Sequence, residues 1–186
     1  NDYTYANFSE TYIEKADSYN PFIRTNSKDA VLIINNSIFT DIQQINAPII
    51  MSKINQSITL QNFTLKNVIF SNPIVITNNN SNTFFKRVLQ SPMTTSTQYS
   101  AIWLSNSQLI LLGSTFQNIN CPTCNGAALS IQNSTFSIIS NLFSQNIGHD
   151  GGSILLINNP MLLNTITSNQ FLGSKATKSG GAIYLV

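Results

Sequence analysis

Residues 141–155 read NLFSQNIGHDGGSIL, and this stretch decides the fold. It carries two signals: a Phe set among Asn, Ser and Gln, and a Gly-Gly pair followed by a small residue that opens an apolar run. Both recur. The small residue returns in AIWL from Ala101, AALS from Ala127, SILL from Ser153 and AIYL from Ala182. The last three each follow a glycine: Gly126, Gly152 and Gly181. The Phe signal returns later in each unit, in STFQNI (114–119), NLFSQNI (141–147) and NQFLGS (169–174). Looser units precede these, in AVLIINNSIF from Ala30, PIIMSKINQSITLQNFTLKNV from Pro48 and PIVITNN from Pro73. A near-constant period in the twenties marks a stacked solenoid.

The units lack the runs of about 10 residues with apolar spacing of three and four that helical repeats need. They show short runs of Ile, Leu, Val, Thr and Phe broken by Asn, Ser and Gly, which read as strands of about 3 to 6 residues. Three such strands and three turns fill about 26 residues, one coil of a parallel β-helix. Asn suits the corners because it tolerates left-handed backbone, and stacked Asn amides can hydrogen-bond up a ladder. Ala127, Leu129 and Ile131 are expected to point inward, and Phe116, Phe143 and Phe171 to stack as an interior aromatic ladder.

The pairing of GG-A-[I/L] with a downstream F-x-x-N resembles the repeat of polymorphic outer-membrane proteins, also found in large surface proteins of ciliated protists. GGSIL (151–155), GGAIYL (180–185) and FSQN (143–146) carry the match. FQNI (116–119) has its Asn one position early, and FLGS (171–174) lacks it. The resemblance covers residues 100–186. It implies a right-handed parallel β-helix at a cell surface and no catalytic residue, because the repeat motifs are structural.

Composition fits a rod that faces water without ions. The 186 residues include 26 Asn, 25 Ile and 23 Ser, but only 16 charged side chains, for a net charge of +2. No basic cluster suggests nucleic acid, and no apolar run approaches the roughly 20 residues of a membrane span. Asn7, Asn35, Asn55, Asn62, Asn79 and Asn133 each open an Asn-x-Ser/Thr sequon. An Asn- and Ser-rich chain makes several such triplets by chance, so their weight depends on whether they fall on turns or outward faces. Together with the low charge and the lone Cys pair, they suggest an extracellular or cell-surface glycoprotein bearing covalent N-glycans.

Eight of the 16 charges fall in residues 1–29. This segment reads as a cap or an arm preceding a β-helix over 30–186, and Thr11 to Glu14 could form a capping box. Residues 78–99 read as a loop leaving the helix.

Chemistry is sparse. Asp150 is the one acidic residue in 42–186, whereas glycoside hydrolysis needs two carboxyls about 5 to 9.5 Å apart. Asp29 and Asp41 could be neighbours in the first coil, without a base beside them. A polysaccharide lyase or hydrolase is therefore disfavoured. Cys121-Pro-Thr-Cys124 reads first as a local disulfide, with free thiols or a metal site shared with His149 and Asp150 of the next coil as alternatives. Trp103 and Tyr184 hold the same place in their units, which reads as a half-buried ladder position or, alternatively, as a platform for sugar rings. No cofactor and no metal centre are expected.

The sequence closes on KSGGAIYLV, a strand with no turn after it. Two readings follow: the residues belong to a longer repeat protein, or Gly181, Ala182, Ile183, Tyr184, Leu185 and Val186 form a rung on which the N-terminal arm of another copy stacks head to tail. Six to seven coils at about 4.8 Å give a unit rise of roughly 30 Å. The leading expectation is a structural rod or fibre unit, the second an adhesin-like module for a glycan or protein.

Overall fold

Alternating apolar residues in short runs favour strands that bury one face, and residues with left-handed backbone between them turn the chain. A computed structural model shows the outcome, describing residues 5–18, 21–25, 30–45, 48–52, 56–71, 100–160 and 164–186. The described residues are all-β, with every strand pair parallel, and they form a β-solenoid with coils of about 27 residues.

The first ladder stacks β1 (Tyr5–Ser9), β5 (Val31–Asn35), β8 (Ser57–Gln61), β11 (Gln108–Leu112), β14 (Thr135–Ile139) and β18 (Thr165–Thr167). The second, bent ladder runs through β2 (Tyr12–Glu14), β6 (Ile38–Ile45), β9 (Thr64–Ser71), β12 (Thr115–Asn120), β15 (Leu142–Ser144) and β19 (Gln170–Leu172). Beyond its bend it takes in β3 (Asp17–Ser18), β16 (Ile147–Asp150) and β20 (Lys175–Ser179). The third holds β4 (Ile23–Thr25), β7 (Ile50–Ser52), β10 (Ile102–Ser105), β13 (Leu129–Gln132), β17 (Ile154–Ile157) and β21 (Ile183–Leu185).

Three expectations change. Residues 5–25, read as a cap or arm, supply β1 to β4 and pair in parallel with the next coil, so their described part is a rung of the solenoid. Tyr12–Glu14 is a strand where a capping box suggested a helix, because Ile13 lies over Phe39 and completes an inward column. The coil alignment also slips by one position at Ala127. Ile102 pairs with Leu129, then Ile154, then Ile183, so Ala128, not Ala127, is the counterpart of Ala101, Ser153 and Ala182. Between the pairs Asn120–Ile147 and Leu129–Ile154 the earlier coil is two residues longer, and the Cys121–Gly126 turn takes them up. The proposed loop at 78–99 lies outside the described residues.

The interior is a set of stacked columns. Phe116 and Phe143 lie parallel with ring centroids 5.1 Å apart, and Phe143 and Phe171 at 5.0 Å. Phe63 extends the stack edge-on towards Phe116 at 6.1 Å and towards Phe39 at 5.1 Å. Leu32, Ile34, Ile58, Leu60, Leu109, Leu111, Ala127, Leu129 and Ile131 are fully enclosed beside them.

Corners solve the harder problem, since a turned strand leaves backbone groups unpaired in the interior. Each of three corner columns begins with a residue at positive φ. The first contains Glu10, Asn36, Asn62, Gly113, Ser140 and Ser168. The second contains Lys15, Asp41, Asn67, Asn118, Gln145 and Gly173, and the third Asn106, Asn133 and Asn158. Asn and Asp enter this region at least cost among non-glycines. In the first and third columns the following residue points inward and is often Ser or Asn. The Ser114 amide donates to Asn141 Oδ1 at 2.8 Å, and the Asn141 amide to Asn169 Oδ1 at 2.9 Å. Ser107 and Ser134 repeat the arrangement with Ser134 Oγ and Asn159 Oδ1 at 3.0 and 2.8 Å. Each such side chain accepts from the coil before it, and several donate back: Asn141 Nδ2 reaches the Leu111 carbonyl at 3.1 Å.

These features set the expected stability effects. Phe143→Ala removes a fully buried ring from the middle of the stack and should cost about 3 to 5 kcal/mol. Phe171→Ala, half-buried further along the same stack, should cost less. Asn141→Ala strands the Ser114 amide, at about 1 to 3 kcal/mol for the group left unpaired. Urea unfolding of the three variants against the parent checks the order; Phe171→Ala matching Phe143→Ala would contradict it.

Candidate functional site

The bend of the second ladder makes the most distinctive surface feature. Residues in the left-handed column Lys15, Asp41, Asn67 and Asn118 turn β6, β9 and β12 part-way along their length, and the turned strands enclose a groove of about 640 Å³. Gln43 and Asn120 stand on one flank in the same register column. The side chains on the floor are already tied together. Asn118 Nδ2 donates to Asn67 Oδ1 at 3.0 Å, and Asn67 Nδ2 to Asp41 Oδ1 at 2.8 Å. Thr40 Oγ1 donates to the other carboxylate oxygen of Asp41 at 3.1 Å. Lys15 Nζ lies 3.8 Å from Glu14 Oε1. The groove is thus lined largely by amides, with the Asp41 carboxylate held by neutral donors and Lys15 beside Glu14. A second groove of about 530 Å³ lies between Gln56, Ser57, Asn106, Gln108, Asn133 and Thr135.

A denser cluster sits where coils meet beside the cysteines. Cys121 and Cys124 close a disulfide with Cα atoms 5.2 Å apart, and both are fully buried. The turn and the following coil do converge: the His149 amide donates to the Cys124 carbonyl at 2.7 Å and the Gly126 amide to the Asp150 carbonyl at 2.8 Å. The side chains do not form a metal cage, because the two sulfurs bind each other. No group of three or more His, Cys, Asp or Glu side chains suited to a metal occurs among the described residues. Gly126 is required at this turn: its φ is +72°, and a Cβ would collide with the Leu129 carbonyl and come within 2.5 Å of the Leu155 amide nitrogen.

Asp150 ends β16 with its carboxyl buried. Oδ2 meets His149 Nδ1 at 3.1 Å and Lys178 Nζ at 3.5 Å, while Oδ1 is buried without a hydrogen-bond partner. Burial raises the carboxyl pKa and is the largest single influence. A hydrogen bond from Ser179, the Lys178 charge and His149 together outweigh it, so the group titrates below the ordinary carboxylate range. His149 lies on β16 with its side chain partly exposed and its Nδ1 3.3 Å from Asn125 Oδ1.

Trp103 is half-buried on the outer side of the third ladder. Register places it in a column with Met51, Ser130, Leu155 and Tyr184, so Trp103 and Tyr184 do share one position. Met51, Ser130 and Leu155 are buried, which fits the ladder reading better than an open platform. Among the sequons, Asn7 is exposed on the outer face of β1, and Asn62 and Asn133 are exposed at left-handed corners. Asn35 is half-buried with Oδ1 enclosed and unpartnered. Asn55, Asn79 and Asp29 lie outside the described residues, while Asp41 belongs to the groove floor.

No protein-family model matches the chain, and neither the curated proteins nor the solved structures searched yielded a match. The amide-lined groove escapes sequence reasoning that looks for carboxylate pairs and aromatic platforms. A signal for it is present in Asp41, Asn67 and Asn118, each two positions beyond an inward apolar residue, Phe39, Leu65 or Phe116.

The Asp150 environment predicts a pH effect of definite sign. With its folded pKa depressed, Asp150 contributes stability above the unfolded value of about 4, and this contribution fades as pH falls through the folded value. The urea midpoint of the parent should therefore drop more steeply below about pH 4 than that of Asp150→Asn. Parallel pH profiles would sink the assignment.

Proposed function

We propose that the protein is a structural element of a cell surface or extracellular matrix, a stiff β-helical rod clothed in N-linked glycans. The observation that carries this reading is the continuity of the ladders. Three parallel sheets run through the described coils, and the corners between them are bridged by side chains, so bending the rod distorts many hydrogen bonds at once. Such a body serves as a spacer or support.

The surface supports the same reading. Asn7, Asn62 and Asn133 sit on outward or corner positions where a glycan projects into solvent without disturbing the core. The buried Cys121–Cys124 disulfide is suited to an oxidising compartment. In this reading units also associate along the axis. Parallel ladders of this kind extend by addition of further rungs along the axis.

Glycopeptide mapping of protein isolated from its native source tests the coat. Occupancy is expected at Asn62 and Asn133, with Asn7 also accessible, and Asn35 should be the least modified of the described sites. Bare asparagine at Asn7, Asn62 and Asn133 alike would remove the glycoprotein reading.

A further inference from the structure

The groove at the bend of the second ladder has a chemistry that a passive support does not require. Its floor is a column of residues that advances one rung at a time, from Lys15 through Asp41 and Asn67 to Asn118. Rungs of a parallel sheet repeat at about 4.8 Å, so the groove presents a polar side chain on each rung along the solenoid axis, and amides on the two rungs of Asn67 and Asn118.

Each Asn amide carries two N–H donors and an oxygen with two lone pairs. The floor ladder uses one donor of Asn67, one donor of Asn118 and one acceptor site of Asn67. Donor and acceptor capacity remains on both residues, held in a fixed orientation because each amide is anchored by its neighbour. Gln43 and Asn120, both exposed, add further amides on the flank. Asp41 is occupied by Asn67 and Thr40, and Lys15 is paired with Glu14. The groove is therefore rich in donors and acceptors, and its floor carries the Asp41 carboxylate, held by neutral hydrogen-bond donors.

At the first-rung end, Tyr12 leaves 60% of its surface exposed. It stands on β2 paired with Ile38, three residues before Lys15, on the stretch of chain that leads into the first-coil end of the groove. An exposed aromatic presents an apolar face next to a polar tip.

We propose that this groove binds a neutral polysaccharide chain lying along the solenoid axis. Sugar hydroxyls are donor and acceptor at once and match the alternating capacity of the amides, while Tyr12 offers a face for the apolar side of one ring. Amides on the adjacent floor rungs of Asn67 and Asn118, with Gln43 and Asn120 on the flank, let an extended chain meet several of them at once. The Asp41 carboxylate on the floor repels an acidic chain and so favours an uncharged one. The inference stands apart from the structural-rod reading, since a rod without glycans could still carry this groove.

The test is affinity electrophoresis of the full chain through gels containing hydroxyethylcellulose, mixed-linkage β-glucan, galactomannan or polygalacturonate. At least one neutral polymer should retard the parent, and polygalacturonate should not. Gln43→Ala combined with Asn120→Ala spares the floor ladder and should weaken retardation at least fivefold with an unchanged circular dichroism spectrum. Tyr12→Ala should weaken it as well. The proposal is overturned if none of the neutral polymers retards the parent, if polygalacturonate does so equally, or if the double variant migrates like the parent.

Discussion

A hydrogen bond from the backbone amide of one coil to a Ser or Asn side chain at the equivalent corner of the next is the interaction on which this architecture leans. Strand pairing alone satisfies the flat faces. It fails at each corner, where the chain changes direction and an amide is left facing the interior. Ser114 to Asn141, Asn141 to Asn169, and Ser107 to Ser134 close that gap. Without these side chains the corner amides would be left without a partner in the interior.

This device explains the composition. A coil needs a residue that accepts positive φ and then one that points inward with a short polar side chain. Asn serves in both roles, Ser in both at Ser140, Ser168 and the inward corners, and charged side chains are disfavoured inside. The abundance of Asn and Ser is thus a consequence of turning the chain at the three corner columns of each coil. The exceptions are informative. Phe63 takes an inward corner and joins the aromatic stack, while its amide still finds Ser114 Oγ in the next coil at 3.1 Å. Gly113 occupies a left-handed position where a Cβ would lie 2.9 Å from Asn62 Oδ1.

Much of this is legible in the residues themselves. Period, strand character and the Phe116–Phe143–Phe171 column follow from spacing alone, because stacking forces equivalent residues into equivalent places. The slip at Ala127 arises because two alanines precede Leu129, and spacing does not say which of them opens the strand. Residues 5–25 resist reading because their charges and aromatics mask a weak alternation that only the neighbouring coil reveals. The groove is hidden for a different reason. A bend within a strand depends on one backbone torsion, and Asp41, Asn67 and Asn118 look like ordinary turn residues until the ladder on both sides of them is seen.

The coil-to-coil interval carries a last implication. Val31 pairs with Ser57 and Gln108 with Thr135, one ordinary repeat each, yet Ser57 pairs with Gln108 across a stretch about twice as long. The ladders resume in phase on either side, so coil pairing sets no fixed length for the chain between β9 and β10. A solenoid of this kind can acquire or exchange whole segments at such a junction while its stacking stays intact. For an engineer, the same junction is a mounting point for foreign sequence on a rigid scaffold.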